Sequence, residues 1–157
     1  MPLPSIRVLA ATPHVATVAR WLHDEWWRAL GWTPETVAGF LQEAAGPAPP
    51  VAYVAEVGGR PAGTATLDID DLAARRDLSP WLASVFVAPE FRGQGIGTLL
   101  ARHAIAAAQA MGQRELWLHS FTAVAFWQRF GFVVVGQEET VGRPTTLMRR
   151  GFGAPVS

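Results

Sequence analysis

The sequence predicts an α/β domain in which strands and helices alternate. Three observations lead there. Strand-like apolar runs alternate with stretches of helical spacing along all 157 residues. A glycine-rich turn joins one such run to the longest helical stretch, and no internal repeat or dividing linker interrupts the chain. At this length one core is ample and two would be cramped, so residues 1–157 are expected to form a single domain.

Ser5 to Leu9 is expected as a short first strand. Thr12 suits a helix cap with Pro13 at the first helical position, where the missing N–H has no partner to lose. Val15, Val18, Ala19, Leu22 and Trp26 then recur at helical spacing, with Arg20, Asp24 and Arg28 opposite. A second helix is expected to open at Thr33-Pro34, to use Val37, Phe40 and Leu41, and to stop before Gly46. Pro47, Pro49 and Pro50 stiffen the connection to the next strand. VAYVAEV (51–57) and PAGTATLDI (61–69) are β-rich runs joined by Gly58-Gly59-Arg60, a hairpin signal. Residues 70–80 are expected as a polar loop.

WLASVFV (81–87) is the next strand and ends at Ala88-Pro89. Ile96, Leu99, Leu100, His103 and Ala107 mark one side of a long helix that stops at Gly112. ELWLH (115–119) reads as a strand and residues 122–130 as a short helix closed by Gly131. FVVVGQEE and TTLMRR finish the chain as a β pair around Gly142-Arg143-Pro144. The order is therefore β-α-α-β-β-β-α-β-α-β-β.

Composition narrows the function. Lysine plus arginine equals aspartate plus glutamate, 13 against 13, so no net field draws the chain to nucleic acid or an acidic membrane. Cysteine is absent, which removes disulfides, thiolate metal sites and cysteine nucleophiles. His14, His23, His103 and His119 show no ligand spacing, so no metal is expected. No signal pattern opens the chain and no apolar run is long enough for a membrane span; a cytoplasmic protein is expected.

The stretch EFRGQGIGTLL (90–100) carries the chemistry. Gly93, Gly95 and Gly97 fall at alternate positions where a helix begins, although glycine inside a helix costs about 1 kcal/mol relative to alanine. The first N–H groups of a helix lack internal partners and lie at the positive end of its dipole. Missing Cβ atoms let a phosphate approach them, Arg92 adds a charged donor, and Thr98 adds a hydroxyl. The spacing is not G-x-G-x-x-G, and the lysine and Ser/Thr of a nucleotide P-loop are missing. A tight turn without a ligand stays open on this stretch alone.

SVFVAPEFRGQGIGTLLARHAIAAA resembles the acetyl-CoA-binding segment of the GCN5-related N-acetyltransferase family, whose signature Q/R-x-x-G-x-G/A is matched by Arg92-Gly93-Gln94-Gly95-Ile96-Gly97. AFWQRFGF (125–132) resembles the family's later segment, an aromatic pair followed by Gly-Phe, and the element order agrees as well. The resemblance covers about residues 5–150. It implies a mostly antiparallel sheet of about seven strands, splayed between the fourth and fifth, with about four helices on its faces. It further implies acetyl-CoA as cosubstrate and a primary amine of a small molecule or peptide as acceptor, attacking the thioester directly. A non-catalytic acyl-CoA-binding or regulatory domain on the same fold is the alternative. A monomer or a homodimer is expected.

By the same resemblance, backbone groups of Val85, Phe86 and Val87 would pair with the pantetheine amides. The N–H groups of Gly93, Gln94, Gly95, Ile96, Gly97 and Thr98 would hold the pyrophosphate beside Arg92, and Phe126 and Trp127 would line the thiol end. A free N–H near Val85 or Phe86 is the candidate donor to the oxyanion. Relatives often carry a glutamate base early in the fourth strand and a tyrosine in the aromatic pair; Trp81 and Trp127 stand in those places.

His119 is the candidate base in place of that glutamate, since imidazole titrates near 6.5. Freeing a lysine-like amine of its proton at pH 7 costs about 4.6 kcal/mol, against about 1 kcal/mol for an α-amino group. Ser120 is the candidate relay to the leaving thiolate. Leaving that thiolate unprotonated costs only about 2 kcal/mol. On the acceptor side, Glu25, Trp27, Trp32, Asp71 and Trp81 are the candidates, because acidic groups beside aromatic faces suit ammonium ligands.

Overall fold

The computed structural model of the chain describes residues 2–153. Its strands are β1 (Ser5–Val8), β2 (Val51–Val57), β3 (Arg60–Asp68), β4 (Trp81–Val87), β5 (Glu115–Ser120), β6 (Val133–Thr140) and β7 (Arg143–Gly151). Its α-helices are α1 (Val15–Glu25), α2 (Pro34–Glu43), α3 (Ile96–Ala110) and α4 (Val124–Gln128). The strands form one sheet in the order β1-β2-β3-β4-β5-β7-β6. All neighbours are antiparallel except β4 and β5, which run parallel.

That parallel pair positions the site. β4 and β5 meet in register at Trp81 and Trp117 alone, and the Trp117 N–H donates to the Pro80 carbonyl at 3.0 Å. Past this point the strands diverge, as the expected splay requires. Trp81, Trp117, Leu72 and Leu147 pack into a small cluster that plugs the apex. The Trp81 indole N–H is satisfied there by the Leu78 carbonyl at 2.7 Å, so its polar edge costs nothing in burial.

Each face of the sheet is covered. α1 and α2 bury Val18, Leu22, Val37 and Leu41 against Ala52 and Val54 of β2. On the other face, Ile96, Leu100, Ala104 and Ala108 of α3 pack on Tyr53, Ala65 and Leu82, with Trp127 and Phe132 completing the layer. Small residues let the helix lie close. A Cβ on Gly63 would come within 2.9 Å of both the Phe86 carbonyl and Leu100.

β4 carries a bulge. Thr66 pairs with Ala83 and Thr64 with Phe86, so Ser84 and Val85 both oppose Ala65, and Ser84 adopts a left-handed φ of 55°. The extra residue reverses the alternation of the strand. Leu82, Val85 and Val87 all join the α3 face, while Phe86 turns to Trp21 and Trp26 on the α1 face.

Thr33 caps α2 as expected, its hydroxyl accepting the Thr36 N–H at 3.1 Å. Gly58 and Gly59 form the two-residue hairpin turn, both at positive φ. Several boundaries differ from expectation. α1 starts at Val15, because Thr12 accepts the His14 N–H in a local turn and does not cap a helix at Pro13. The helix expected over 122–130 shortens to Val124–Gln128. The loop 70–80 contains a 3₁₀ turn at Ala73–Arg75 and buries Leu72. In the last hairpin Val141 and Gly142 make the turn, and Arg143 and Pro144 already belong to β7.

Candidate active site

The turn before α3 leaves backbone N–H groups open at a helix start. Gly93 and Gly95 have φ of 77° and 81°, the left-handed region that costs other residues, and a Cβ at either would meet open space. The first helical bond of α3 runs from the Leu99 N–H to the Gly95 carbonyl. The N–H groups of Ile96, Gly97 and Thr98 therefore have no partner within the helix, and they point out of its positive end. Arg92 is held at this mouth, its Nε–H donating to the Val87 carbonyl at 3.0 Å and its guanidinium lying 5.4 Å from the Phe86 ring centre. A groove of about 200 Å³ runs along the turn, lined by Val87, Phe91, Arg92, Thr98, Phe126 and the glycines.

The groove adjoins a larger cavity of about 780 Å³ in the β4–β5 gap; Val87, Arg92, Gly97 and Phe126 line both. Ser84 and Val85 form one wall, Leu118, His119 and Ser120 another. Glu25, Trp26 and Trp27 reach in from the end of α1, and Thr140, Val141 and Arg143 from the last hairpin. Beyond Trp81, the β5-facing edge of β4 has no strand partner, so its peptide groups border this space.

His119 lies in the wall with both ring nitrogens engaged. Nδ1 is 2.9 Å from the Thr145 hydroxyl and Nε2 is 3.1 Å from Asp71 Oδ2. For a neutral ring beside a carboxylate, Nε2–H donates to Asp71 and the Thr145 hydroxyl donates to Nδ1. The open lone pairs of the cluster then belong to Asp71, whose side chain is 25% exposed against 13% for His119. Asp68, at the end of β3 opposite Trp81, lies nearby. Burial, and then the charges of Asp71 and Asp70, push its carboxyl up to about 6.

The other predicted residues divide between those that line the cavity and those that turn away from it. Val85, Val87, Arg92, Gly97, Phe126, Trp127, Ser120, Glu25 and Trp27 all line the cavity. Ser120 also accepts the Ala123 N–H at 2.8 Å, fixing the turn into α4, and keeps its own hydroxyl hydrogen to donate. Phe86 turns its ring to α1, and Gln94 hangs outside the groove with its amide on the Glu90 carbonyl.

Two acceptor-side expectations are corrected. Trp81 is 0% exposed and forms the plug at the apex, so it offers no surface to an acceptor. Trp32 stands behind Trp27, ring centres 4.6 Å apart, and does not reach the cavity. Residues that the sequence did not single out are Ser84, Phe121, Thr145 and Arg143. Ser84 has no glycine to betray its left-handed backbone. The other three are brought in by the pairing of β5 with β7, which no local pattern encodes. Among the described residues, no group of three or more His, Asp or Glu side chains is placed to hold a metal, and no helix is long and apolar enough to cross a membrane.

A model of the acetyltransferase (GNAT) family matches residues 16–132, from α1 through the aromatic segment. The chain belongs to the GNAT family. Among relatives, an uncharacterized N-acetyltransferase of Methanocaldococcus jannaschii is 37% identical over 86 residues, covering 51% of this chain and 38% of its own length. A peptidyl-lysine N-acetyltransferase of Salmonella typhimurium is 34% identical over 67 residues, 41% of this chain and 46% of its own. The chain thus spans less than half the length of these curated relatives. In three dimensions, the GNAT acetyltransferase of Streptococcus pneumoniae superposes with a TM-score of 0.72 at 25% identity, over 96% of this chain and 100% of that one. The splayed pair and the glycine turn therefore belong to a GNAT frame, with the cavity between them.

Proposed function

We propose that this protein transfers an acetyl group from acetyl-CoA to a primary amine of a small molecule or peptide by direct attack. One observation carries the proposal: β4 and β5 part immediately after Trp81 and Trp117, and the gap they leave runs into the unpartnered amides at the start of α3. The residues present fit such a cosubstrate. Left-handed glycines keep the groove open beside the helix dipole, Arg92 supplies a cation, and the free edge of β4 offers peptide groups to the amides of an extended arm. Phe126 and Trp127 give the far end an apolar wall.

Acetyl-CoA supplies the acyl group as an activated thioester. The chain's own residues handle charge and protons around it. The Ser84–Val85 bulge interrupts the regular ladder with β3, and peptide N–H groups there serve as donors to the carbonyl oxygen as it gains charge. The Asp71 carboxylate binds the incoming ammonium and takes one proton from it, directly or through water, so that the neutral amine bonds to the acyl carbon. The second proton leaves that nitrogen as the adduct collapses and passes through water toward the departing sulfur. His119 holds that carboxylate in place, with Thr145 behind it. The Ser120 hydroxyl hydrogen is available to the departing sulfur.

The test is thiol release from acetyl-CoA with a panel of amines, alongside calorimetric titration of the coenzyme. Amine-dependent release is the expected result. Binding without release by any amine would leave a coenzyme-binding domain. No heat on titration would remove the cleft from consideration altogether.

A further inference from the structure

The charges that border the acceptor space are balanced. Glu25 and Asp71, Arg92 and Arg143, and His119 all line one cavity. Of the two arginines, Arg92 is committed to the Val87 carbonyl at the coenzyme groove. Arg143 is not. Among the described residues it has no carboxylate partner, and of the arginines without one only it and Arg92 line this cavity. Its contact is with the Phe121 ring, 4.0 Å from guanidinium to ring centre, a stacking that leaves the edge of the fork open for hydrogen bonds.

The geometry ties this cation to the proton-accepting pair. Phe121 stands 5.8 Å from the His119 ring, so it is the spacer between imidazole and guanidinium. Arg143 is also two residues before Thr145 on β7, hence on the same face of the strand, and Thr145 bonds His119. The turn feeding Arg143 is set by two consecutive left-handed residues, Val141 and Gly142, at φ of 51° and 72°. An unspent, stacked guanidinium is thus held on the wall that carries Asp71 and His119. A site for polyamines would line this space with carboxylates; a site for an uncharged amine has no use for the arginine.

We propose that Arg143 receives an anionic group of the acceptor, so that the preferred acceptor is a zwitterion, an amino acid or similar amine bearing a carboxylate. The ammonium goes to Asp71 and the carboxylate to Arg143, where a planar fork binds it through two parallel hydrogen bonds. The inference rests on the N-acyltransfer reading and deepens it by naming the substrate class.

Matched pairs test it: phenylalanine against phenethylamine, lysine against cadaverine, and glutamate against 4-aminobutyrate with the carboxylate displaced. Turnover is read as kcat/KM, and binding to the CoA-loaded enzyme is read by calorimetry. The expected result is a preference for the carboxylated member that falls by roughly ten- to hundredfold in Arg143→Gln, with partial recovery in Arg143→Lys. A wild-type preference for the decarboxylated amines would overturn the proposal. So would a carboxylate preference that Arg143→Gln leaves unchanged. If no amine is turned over but carboxylated ones still bind in an Arg143-dependent way, the transfer reading falls while the anion site stands. If neither turnover nor Arg143-dependent binding is found, both fall.

Discussion

His119 occupies the strand end from which a base is expected to act, yet its two nitrogens are taken by Asp71 and Thr145. This division of labour is testable. Asp71→Asn should lower kcat/KM by about 10²-fold or more, the usual size of a lost proton acceptor. His119→Gln keeps a donor toward Asp71 and should lose clearly less. A larger loss at His119 than at Asp71, measured over a range of pH, would return the base role to the imidazole. The sequence made both residues candidates, because a histidine closes ELWLH and acids crowd residues 70–77. It could not bring them together. Their contact depends on the loop after β3 folding over the end of β5, a long-range event with no local signature.

At the level of elements, the glycine turn shows a conflict between fold and site. Gly97 is already helical, and a Cβ there would make ordinary contacts with Val87 and Phe126 at 3.6 and 3.8 Å. Gly97→Ala should therefore raise stability by up to about 1 kcal/mol through helix propensity. The same methyl would enter the groove, and calorimetry should show acetyl-CoA binding weakened roughly tenfold. Unchanged affinity would mean that the coenzyme lies elsewhere. This turn was the most legible feature of the chain, since three glycines at a helix start defy propensity and match a family signature that implies a coenzyme. The β4 bulge was the least legible. WLASVFV alternates and branches like any strand, and nothing in it reveals that Ser84 leaves the pleat.

For the molecule as a whole, stability should carry a record of Asp68. Its carboxyl, raised by burial and by neighbouring acids to about 6, holds a proton more tightly folded than unfolded. Between about pH 4 and pH 6 the native state therefore binds more protons, and this group's contribution falls as pH rises, staying low above 6. Asp68→Asn retains an acceptor for the Ile69 N–H and removes the titration. Its unfolding free energy relative to the parent should be near zero at pH 3.5 and grow to at most about 3 kcal/mol by pH 7. A difference that does not vary with pH would contradict this assignment. The succession of elements along the chain came from apolar spacing and turn residues, which act locally and so survive in the sequence, whereas the splayed sheet with covered faces was implied by the family resemblance. Trp81 was misplaced because a tryptophan in a strand looks the same whether it walls a cavity or stoppers its narrow end.

The one-residue insertion in β4 has a practical corollary for anyone redesigning this cleft. It splits the strand into two reading frames, so the aromatic packed on Trp21 and Trp26 and the peptide edge proposed to receive the thiol arm are cut from the same three residues. Reshaping the chamber by shifting that backbone will disturb the seat proposed for the coenzyme in equal measure, and new selectivity is better sought in the last hairpin, where a change of side chain leaves the shared rail untouched.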